Sequence, residues 1–118
     1  MTGIVRIPHH TTGSAPEAVA GERLISGTPT QTVANIYSDA GNVFHCGVWE
    51  GEVGAWRVSY AEHEFCHLLA GCVRLIGDDA SDITLRAGDS FVIPAGFEGV
   101  WEVLEPARKL YAVYEPRA

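Results

Sequence analysis

The chain has few basic residues, no long apolar run and few cysteines. Eight Lys and Arg residues stand against fifteen Asp and Glu, which gives a formal net charge of −7 over 118 residues. A protein that binds the phosphate backbone of a nucleic acid, or an anionic lipid surface, needs a basic patch that this composition does not supply. No apolar run approaches the ~20 residues that span a bilayer. We therefore expect neither a nucleic-acid partner nor a membrane partner.

The N-terminal residues and the cysteines bear on the cellular compartment. Residues 1–10 lack the basic start and the apolar core of a signal peptide, so we expect a cytoplasmic protein. The three cysteines, Cys46, Cys66 and Cys72, are an odd number and show no CxxC spacing. We expect them to be free buried thiols in a reducing environment, with a zinc site or a disulfide as the alternatives.

Turn residues, rather than helical periodicity, organise the chain. Residues 8–22 are rich in Pro, Thr, Gly, Ser and Ala and predict an irregular segment with at most one short helix, near residues 16–20. We assign residues 1–30 to an N-terminal arm and residues 31–118 to one barrel domain. Short strands separated by turn signals favour an all-β sandwich or barrel over a βαβ fold. The predicted strands cover residues 43–50, 55–60, 64–70, 72–76, 82–85, 90–93, 99–104 and 109–114, the first two as hairpin partners.

Two spacings of glycine, proline and glutamate resemble a known pair of motifs. Gly88, Pro94 and Gly96 stand at G-x5-P-x-G spacing, and Glu64 precedes Gly71 at E-x6-G spacing. These spacings resemble the two motifs of the cupin superfamily, G-x5-H-x-H-x3,4-E-x6-G and G-x5-P-x-G-x2-H-x3-N. The resemblance implies a single-domain cupin jelly-roll β-barrel of the RmlC-like type.

Longer stretches narrow the resemblance to one group of small cupins. Residues 43–115 are similar to the DUF861 or cupin_3 group, and the run Trp101–Pro106 is its most group-specific part. That group is attached to the cupin domain of ureidoglycine aminohydrolase and also resembles the ethanolamine-utilisation cupin. The resemblance implies a homodimer. If the side chain of Trp49 lies outside the barrel, its apolar surface would have to be covered by a second subunit, which is a further reason to expect a dimer.

The motif positions that bind metal in cupins are mostly replaced. The two histidines of the first motif fall on Val58 and Tyr60, and the histidine of the second motif falls on Gly99, so the resemblance leaves Glu64 as the only retained ligand. A divalent metal generally needs three or four convergent protein ligands. We expect no metal cofactor. The alternative is an atypical Mn, Fe, Ni or Zn site made by Glu64, Tyr60 and Cys66.

The resemblance places Val58, Tyr60 and Glu64 on the inner wall of the barrel. Because side chains alternate along a strand, Trp56, Cys66 and Trp101 are expected on the same wall. A carboxylate facing an apolar cavity must find donors or take a raised pKa, and Tyr60 is the nearest donor in sequence. Glu64 and Tyr60 are therefore the catalytic candidates. For His45, on the first predicted strand, we expect no functional role, with a place near the barrel mouth as the alternative. A solidly packed core is the alternative to a pocket. The predicted ligand-binding residues are Trp56, Val58, Tyr60, Glu64, Cys66 and Trp101.

Three functions stay open at this point. The first is metal-independent binding of a small metabolite inside the barrel, favoured by the aromatic residues of the predicted pocket and the missing metal ligands. The second is an enzyme, similar to ureidoglycine aminohydrolase, that acts on a small nitrogenous or carbonyl metabolite with Glu64 as general acid or base and Tyr60 orienting the substrate. The third is a structural or interaction protein with a solid core.

Overall fold

The computed structural model describes residues 3–10 and 13–116. The regular secondary structure in these residues consists of antiparallel strands. Within these ranges there is no helix, and so none that could cross a membrane. The all-β prediction is therefore confirmed. The strands are β1 (Glu17–Ala18), β2 (Leu24–Ser26), β3 (Thr30–Ser38), β4 (Phe44–Gly51), β5 (Gly54–Ser59), β6 (His63–Gly77), β7 (Asp82–Arg86), β8 (Ser90–Ile93) and β9 (Glu98–Tyr114).

The two longest strands, β6 and β9, form the centre of the curled sheet. They pair along their full length, from His63 opposite Tyr114 to Gly77 opposite Gly99. On its other edge β9 pairs with β5 along its first half and with β4 along its second half. Strand β3 continues the sheet from β4, β2 continues it from β5, and β7 and β8 pair with the two halves of β6. This is the jelly-roll arrangement that the motifs predict.

The pairing of β4 and β5 differs from the prediction. They are not hairpin partners, because each pairs with β9 instead, end to end along one edge. Two predicted strand breaks are also wrong: residues 64–70 and 72–76 belong to the single strand β6, and residues 99–104 and 109–114 belong to β9.

A bulge explains why both long strands continue through their turn-like residues. Gly71 has φ +87°, and a Cβ there would collide with the carbonyl oxygen of Pro106. Pro106 has no N–H to donate, so the ladder is interrupted at this point and the register of β6 against β9 shifts between Leu68 and Val73. The glycine and the proline therefore bend two continuous strands rather than end four short ones.

The N-terminal segment joins the sheet at two points. The short helix that the sequence allowed near residues 16–20 is replaced by β1, which pairs with β3, while β2 pairs with β5. Val19 between them is buried in the core. Strand β3 itself is absent from the predicted strands, because its Thr- and Gln-rich start gives no clear alternation of apolar and polar residues.

Three tryptophans pack together in the interior, two of them, Trp56 and Trp101, at one end of the barrel. Trp56 and Trp101 face each other across β5 and β9, and Trp49 packs edge-on against Trp101 with the ring centroids 5.5 Å apart. All three belong to the buried core. Trp49 therefore lies inside the barrel and needs no partner surface to cover it.

Candidate functional site

A pocket of about 370 Å³ opens at the other end of the barrel. It lies beside the second half of β9, whereas Trp56 and Trp101 lie beside the first half, and Trp49 stands between the two regions and lines the pocket. One end of the interior is thus solid and the other is open, so the barrel is neither hollow throughout nor completely filled. The pocket is lined by Val33, Asn35, His45, Trp49, Tyr60, Glu64, Lys109, Tyr111 and Val113.

An ion pair between Glu64 and Lys109 forms the innermost polar feature of the pocket. The Nζ atom of Lys109 lies 2.8 Å from Oε2 of Glu64, and the two side chains are only 5% and 10% exposed, respectively. Burying either charge alone would be costly, so each stabilises the other in a region with little water. The same Oε2 accepts a hydrogen bond of 3.2 Å from the thiol of Cys66.

Aromatic rings hold the ammonium of Lys109 from two sides. Its Nζ lies 5.0 Å from the ring centroid of Trp49 and 4.5 Å from that of Trp101, within the range of a cation–π interaction. Lys109 and Trp49 are direct cross-strand partners on β9 and β4, which sets this contact. The pocket therefore contains a cation that belongs to the protein itself.

Lys109 is protonated at neutral pH. Burial alone lowers the pKa of an ammonium, yet the pKa of Lys109 lies above its ordinary value, because Cys66, Glu64 and Tyr60 surround it with groups that carry or can gain negative charge. A protonated lysine has no free electron pair and cannot act as a nucleophile. Lys109 can instead donate hydrogen bonds and supply a positive charge.

Two further groups near the ion pair are neutral. Burial raises the pKa of the Cys66 thiol to about 12, although the positive charge of Lys109 opposes the shift. Burial also raises the pKa of Tyr60 above its ordinary value. The thiol of Cys66 and the phenol of Tyr60 therefore add no charge to the ion pair of Glu64 and Lys109, in which the two charges balance.

A chain of hydrogen bonds orders the mouth of the pocket. The hydroxyl of Tyr111 donates to Oδ1 of Asn35 at 2.8 Å, and Nδ2 of Asn35 donates to the hydroxyl of Ser38 at 2.9 Å. That hydroxyl lies 2.6 Å from Nδ1 of His45. Gly47 leaves room for the Tyr111 hydroxyl, which would lie 2.6 Å from a Cβ at that position. The network orients the polar groups at the rim of the pocket.

The positions that would hold a cupin metal do not fit one here. Glu64 is paired with Lys109, Val58 has no donor atom, and a Cβ at Gly99 would collide with the carbonyl oxygen of Ile76 and lie 2.9 Å from Cζ of Phe97. A side chain at position 99 thus has no path into the barrel on this backbone. In the described parts of the chain, no three His, Cys, Asp or Glu side chains form a metal-binding group. Each of the three cysteines is a free thiol, as predicted, but only Cys66 and Cys72 are buried, and Cys46 is partly exposed.

The residues predicted as ligand-binding separate into two layers. Tyr60 and Glu64 line the pocket. The other four, Trp56, Val58, Cys66 and Trp101, belong to the packed core or lie against it. The indole Nε1 of Trp101 is buried and has no hydrogen-bond partner among the described residues.

Lys109 is the site residue that sequence reasoning missed. Trp101 is among the residues predicted to line the pocket, and the alternation of inward-facing side chains, carried from it through one continuous strand, reaches position 109. The predicted break at Pro106 interrupted that count. Counting through the proline would have placed a lysine on the inner wall of the barrel, which also carries the motif glutamate.

Two other surface depressions lack such a cluster. One of about 410 Å³ lies beside Ile83, Val92 and Phe97, and one of about 280 Å³ lies beside Pro106 and Arg108. Neither is lined by a buried ionisable side chain. The pocket with Glu64 and Lys109 is therefore the candidate site.

Comparison with known proteins identifies the family. The sequence profile of the EutQ-like cupin domain, Cupin_3, matches residues 38–111 of this chain. The chain belongs to this cupin family, as the resemblance of residues 43–115 to the cupin_3 group predicts. A search of curated proteins found no match.

Three solved structures resemble the chain. A DUF861 family protein of unknown function from Pseudomonas syringae pv. tomato is 25% identical with a TM-score of 0.79, over 91% of this chain and 46% of that one. The chain thus spans about half of that relative's length. A DUF861 family protein from Thermotoga maritima, tm1112, is 36% identical with a TM-score of 0.53, over 54% of this chain and 73% of that one. The EutQ protein of Clostridium difficile is 18% identical with a TM-score of 0.65, over 74% and 64% of the two chains, and shares the fold.

Proposed function

We propose that this cupin domain binds a small metabolite in the open end of its barrel without a metal. The observation that carries the proposal is the buried ion pair of Glu64 and Lys109 in an aromatic-walled pocket. Small-molecule sites are typically concave, mostly apolar and equipped with a few convergent polar groups, and this pocket has that composition. Its volume of about 370 Å³ lies within the usual range for such sites.

We propose a site without a metal because too few side chains in the pocket are available as metal ligands. Glu64 is the only motif ligand retained, and the ammonium of Lys109 already balances its charge at 2.8 Å. A divalent cation beside that ammonium would face direct repulsion. We propose that Lys109 occupies the role that a bound cation has in metal-dependent cupins.

The enzyme hypothesis has less support. A general acid or base works best when its pKa lies near the working pH, and the pKa values of Tyr60 and Lys109 are both moved away from neutrality. Cys66 is likewise a neutral thiol and not a nucleophile at neutral pH. Tyr60, Cys66 and Lys109 are therefore suited to binding and orienting a ligand rather than to proton transfer at neutral pH.

The homodimer and the cytoplasmic location stay predictions. The outer face of the sheet offers apolar surface for a second copy, since Phe65 on β6 is 49% exposed and lies opposite the 59% exposed Val92 on β8. Sedimentation equilibrium of the wild type and of Phe65→Glu tests this directly. A dimer that the substitution dissociates supports the prediction, and a monomeric wild type contradicts it.

A ligand screen tests the binding proposal. Ligand-observed nuclear magnetic resonance with mixtures of small metabolites, in the presence of a chelator, should reveal at least one binder. Val33 lines the mouth and is exposed, so Val33→Trp should block the pocket without touching the ion pair. The matched control is Leu104→Trp on another exposed strand position. A ligand that needs added metal, or that binds Val33→Trp as well as the wild type, contradicts the proposal.

A further inference from the structure

The pocket contains a charge-balanced pair of groups that both keep hydrogen-bonding capacity. Among the described residues, Lys109 and Cys66 contact the carboxylate of Glu64. Both contacts are to the Oε2 atom. The second oxygen, Oε1, takes neither contact. The ammonium of Lys109 also meets the Cys66 thiol and two indole rings, but it has three N–H donors, so one remains for a ligand on the pocket side. A single ligand group at this point can therefore accept from Lys109 and donate to Glu64.

The balance of charge sets which ligands the pocket tolerates. Glu64 and Lys109 cancel each other, and the phenols of Tyr60 and Tyr111 are neutral at physiological pH. His45 is the remaining titratable side chain on the wall, and it lies at the mouth. A ligand with net charge would enter an aromatic-walled space in which no opposite charge is left unpaired.

The shape and chemistry of the walls favour a flat ligand. Trp49, Tyr60 and Tyr111 present ring surface to the pocket, and aromatic rings pack well against planar groups. A planar amide combines a carbonyl acceptor and an N–H donor on one flat, uncharged group. It would meet both members of the ion pair without disturbing their charges.

We infer that the pocket selects ligands without net charge whose polar end carries an adjacent acceptor and donor, with a planar primary amide as the simplest example. This inference rests on the proposed function, because it concerns the ligand class of the same pocket. It goes further in naming the ion pair as the specificity element. Exclusion of charged analogues is then a property of the balance between Glu64 and Lys109.

Three probes of nearly equal size separate the effect of charge from that of shape. Benzamide is neutral, benzoate is an anion and benzylamine is a cation at pH 7. Titrations of the wild-type protein, followed by tryptophan fluorescence and by calorimetry, should show benzamide binding at least about tenfold more tightly than the two charged probes. A wild type that prefers benzoate or benzylamine, or that binds none of the three, overturns the inference.

Variants of the ion pair should shift the preference in opposite directions. Lys109→Met leaves the carboxylate unbalanced and should make benzylamine the preferred probe, whereas Glu64→Gln leaves the ammonium unbalanced and should make benzoate preferred. The neutral double variant should discriminate less against both. If folded single variants keep the wild-type ranking, the ion pair is not the specificity element and the inference fails. If a variant does not fold, the ranking of the wild type decides alone.

The blocked pocket distinguishes this inference from the proposed function. Probe binding that Val33→Trp abolishes, but with a charged probe preferred, leaves the proposed function standing and rejects the ligand class. Probe binding that Val33→Trp leaves unchanged places the probe outside the pocket and rejects both.

Discussion

Glu64 and Lys109 form their ion pair diagonally across two strands. Lys109 on β9 lies directly opposite Leu68 on β6, whereas Glu64 lies opposite Val113, four positions further along. The long side chain of Lys109 therefore runs along the barrel wall, past Cys66, to place its ammonium 2.8 Å from the carboxylate. The pair links the packed end of the barrel to the open end, so its loss is expected to affect both stability and binding.

Removing one partner of this pair should destabilise the fold strongly. Lys109→Met leaves a buried carboxylate without compensation, and Glu64→Gln leaves a buried ammonium, so each should lower the free energy of unfolding by about 3–5 kcal/mol. Urea denaturation followed by tryptophan fluorescence measures the change.

Two controls accompany that measurement. The double variant Glu64→Gln/Lys109→Met should lose less stability than the sum of the single variants, because no unpaired charge remains. The exposed pair Arg57–Asp78, at 2.7 Å, provides a matched surface case in which Arg57→Met should have a far smaller effect. If breaking the buried pair and breaking the exposed pair lowered the free energy of unfolding equally, burial would not explain the contribution of the Glu64–Lys109 pair.

Stability should decline at alkaline pH. Folding raises the pKa of Cys66 from 9.0 to about 12 and raises that of Lys109 above its ordinary 10.5, so the folded state holds both protons more tightly than the unfolded state. The contribution of the Cys66 proton to the free energy of unfolding is complete below pH 9 and is lost as the pH rises towards 12. The contribution of the Lys109 proton is lost as the pH rises above 10.5. Thermal unfolding between pH 7 and pH 11 should show the decline, with a smaller slope for Cys66→Ala just above pH 9. Identical profiles for the two proteins would contradict the assignment.

The cysteines should differ in reactivity in the folded protein. Cys66 is fully buried and its pKa is raised to about 12, so iodoacetamide at pH 8 should leave it unmodified. Cys46 is only partly buried and should be alkylated first, although burial raises its pKa as well. Peptide mass spectrometry at successive times measures the order, with a urea-unfolded sample as the fully reactive control. Alkylation of Cys66 at the rate of Cys46 would show that the interior opens readily.

A side chain at position 99 should be poorly tolerated. The Cβ of Gly99→Ala would collide with the carbonyl oxygen of Ile76 and press on Phe97, so the free energy of unfolding should fall by roughly 1–3 kcal/mol. Gly21→Ala is the control, because a Cβ at Gly21 would have no atom within 4 Å. Equal unfolding free energies for the two variants would mean that the backbone can open a path for a metal ligand at position 99.

Much of the fold could be predicted because its local signals agree with the final structure. The predicted strand at residues 90–93 is β8, and the strand at residues 82–85 is β7 less its last residue. Both are short, lie between clear turns and pair with a single neighbour. In these elements local preference and tertiary pairing require the same residues.

Pairing over long sequence distances could not be predicted in the same way. Gly71 and Pro106 each favour the end of a strand locally, yet they meet across β6 and β9 at a bulge where each accommodates the other. That compensation is visible only once both strands are in place. The same false break hid Lys109, so the two errors about strands and the missing site residue have one physical cause.

The metal content of the purified protein tests the central claim most directly. If Lys109 balances the charge of Glu64, inductively coupled plasma mass spectrometry of the untagged wild type should find no stoichiometric Mn, Fe, Ni or Zn, before or after incubation with these ions and gel filtration. One metal ion per chain that is retained by the wild type and lost in Glu64→Gln would contradict the account, because it would show that the carboxylate binds a metal in place of the ammonium.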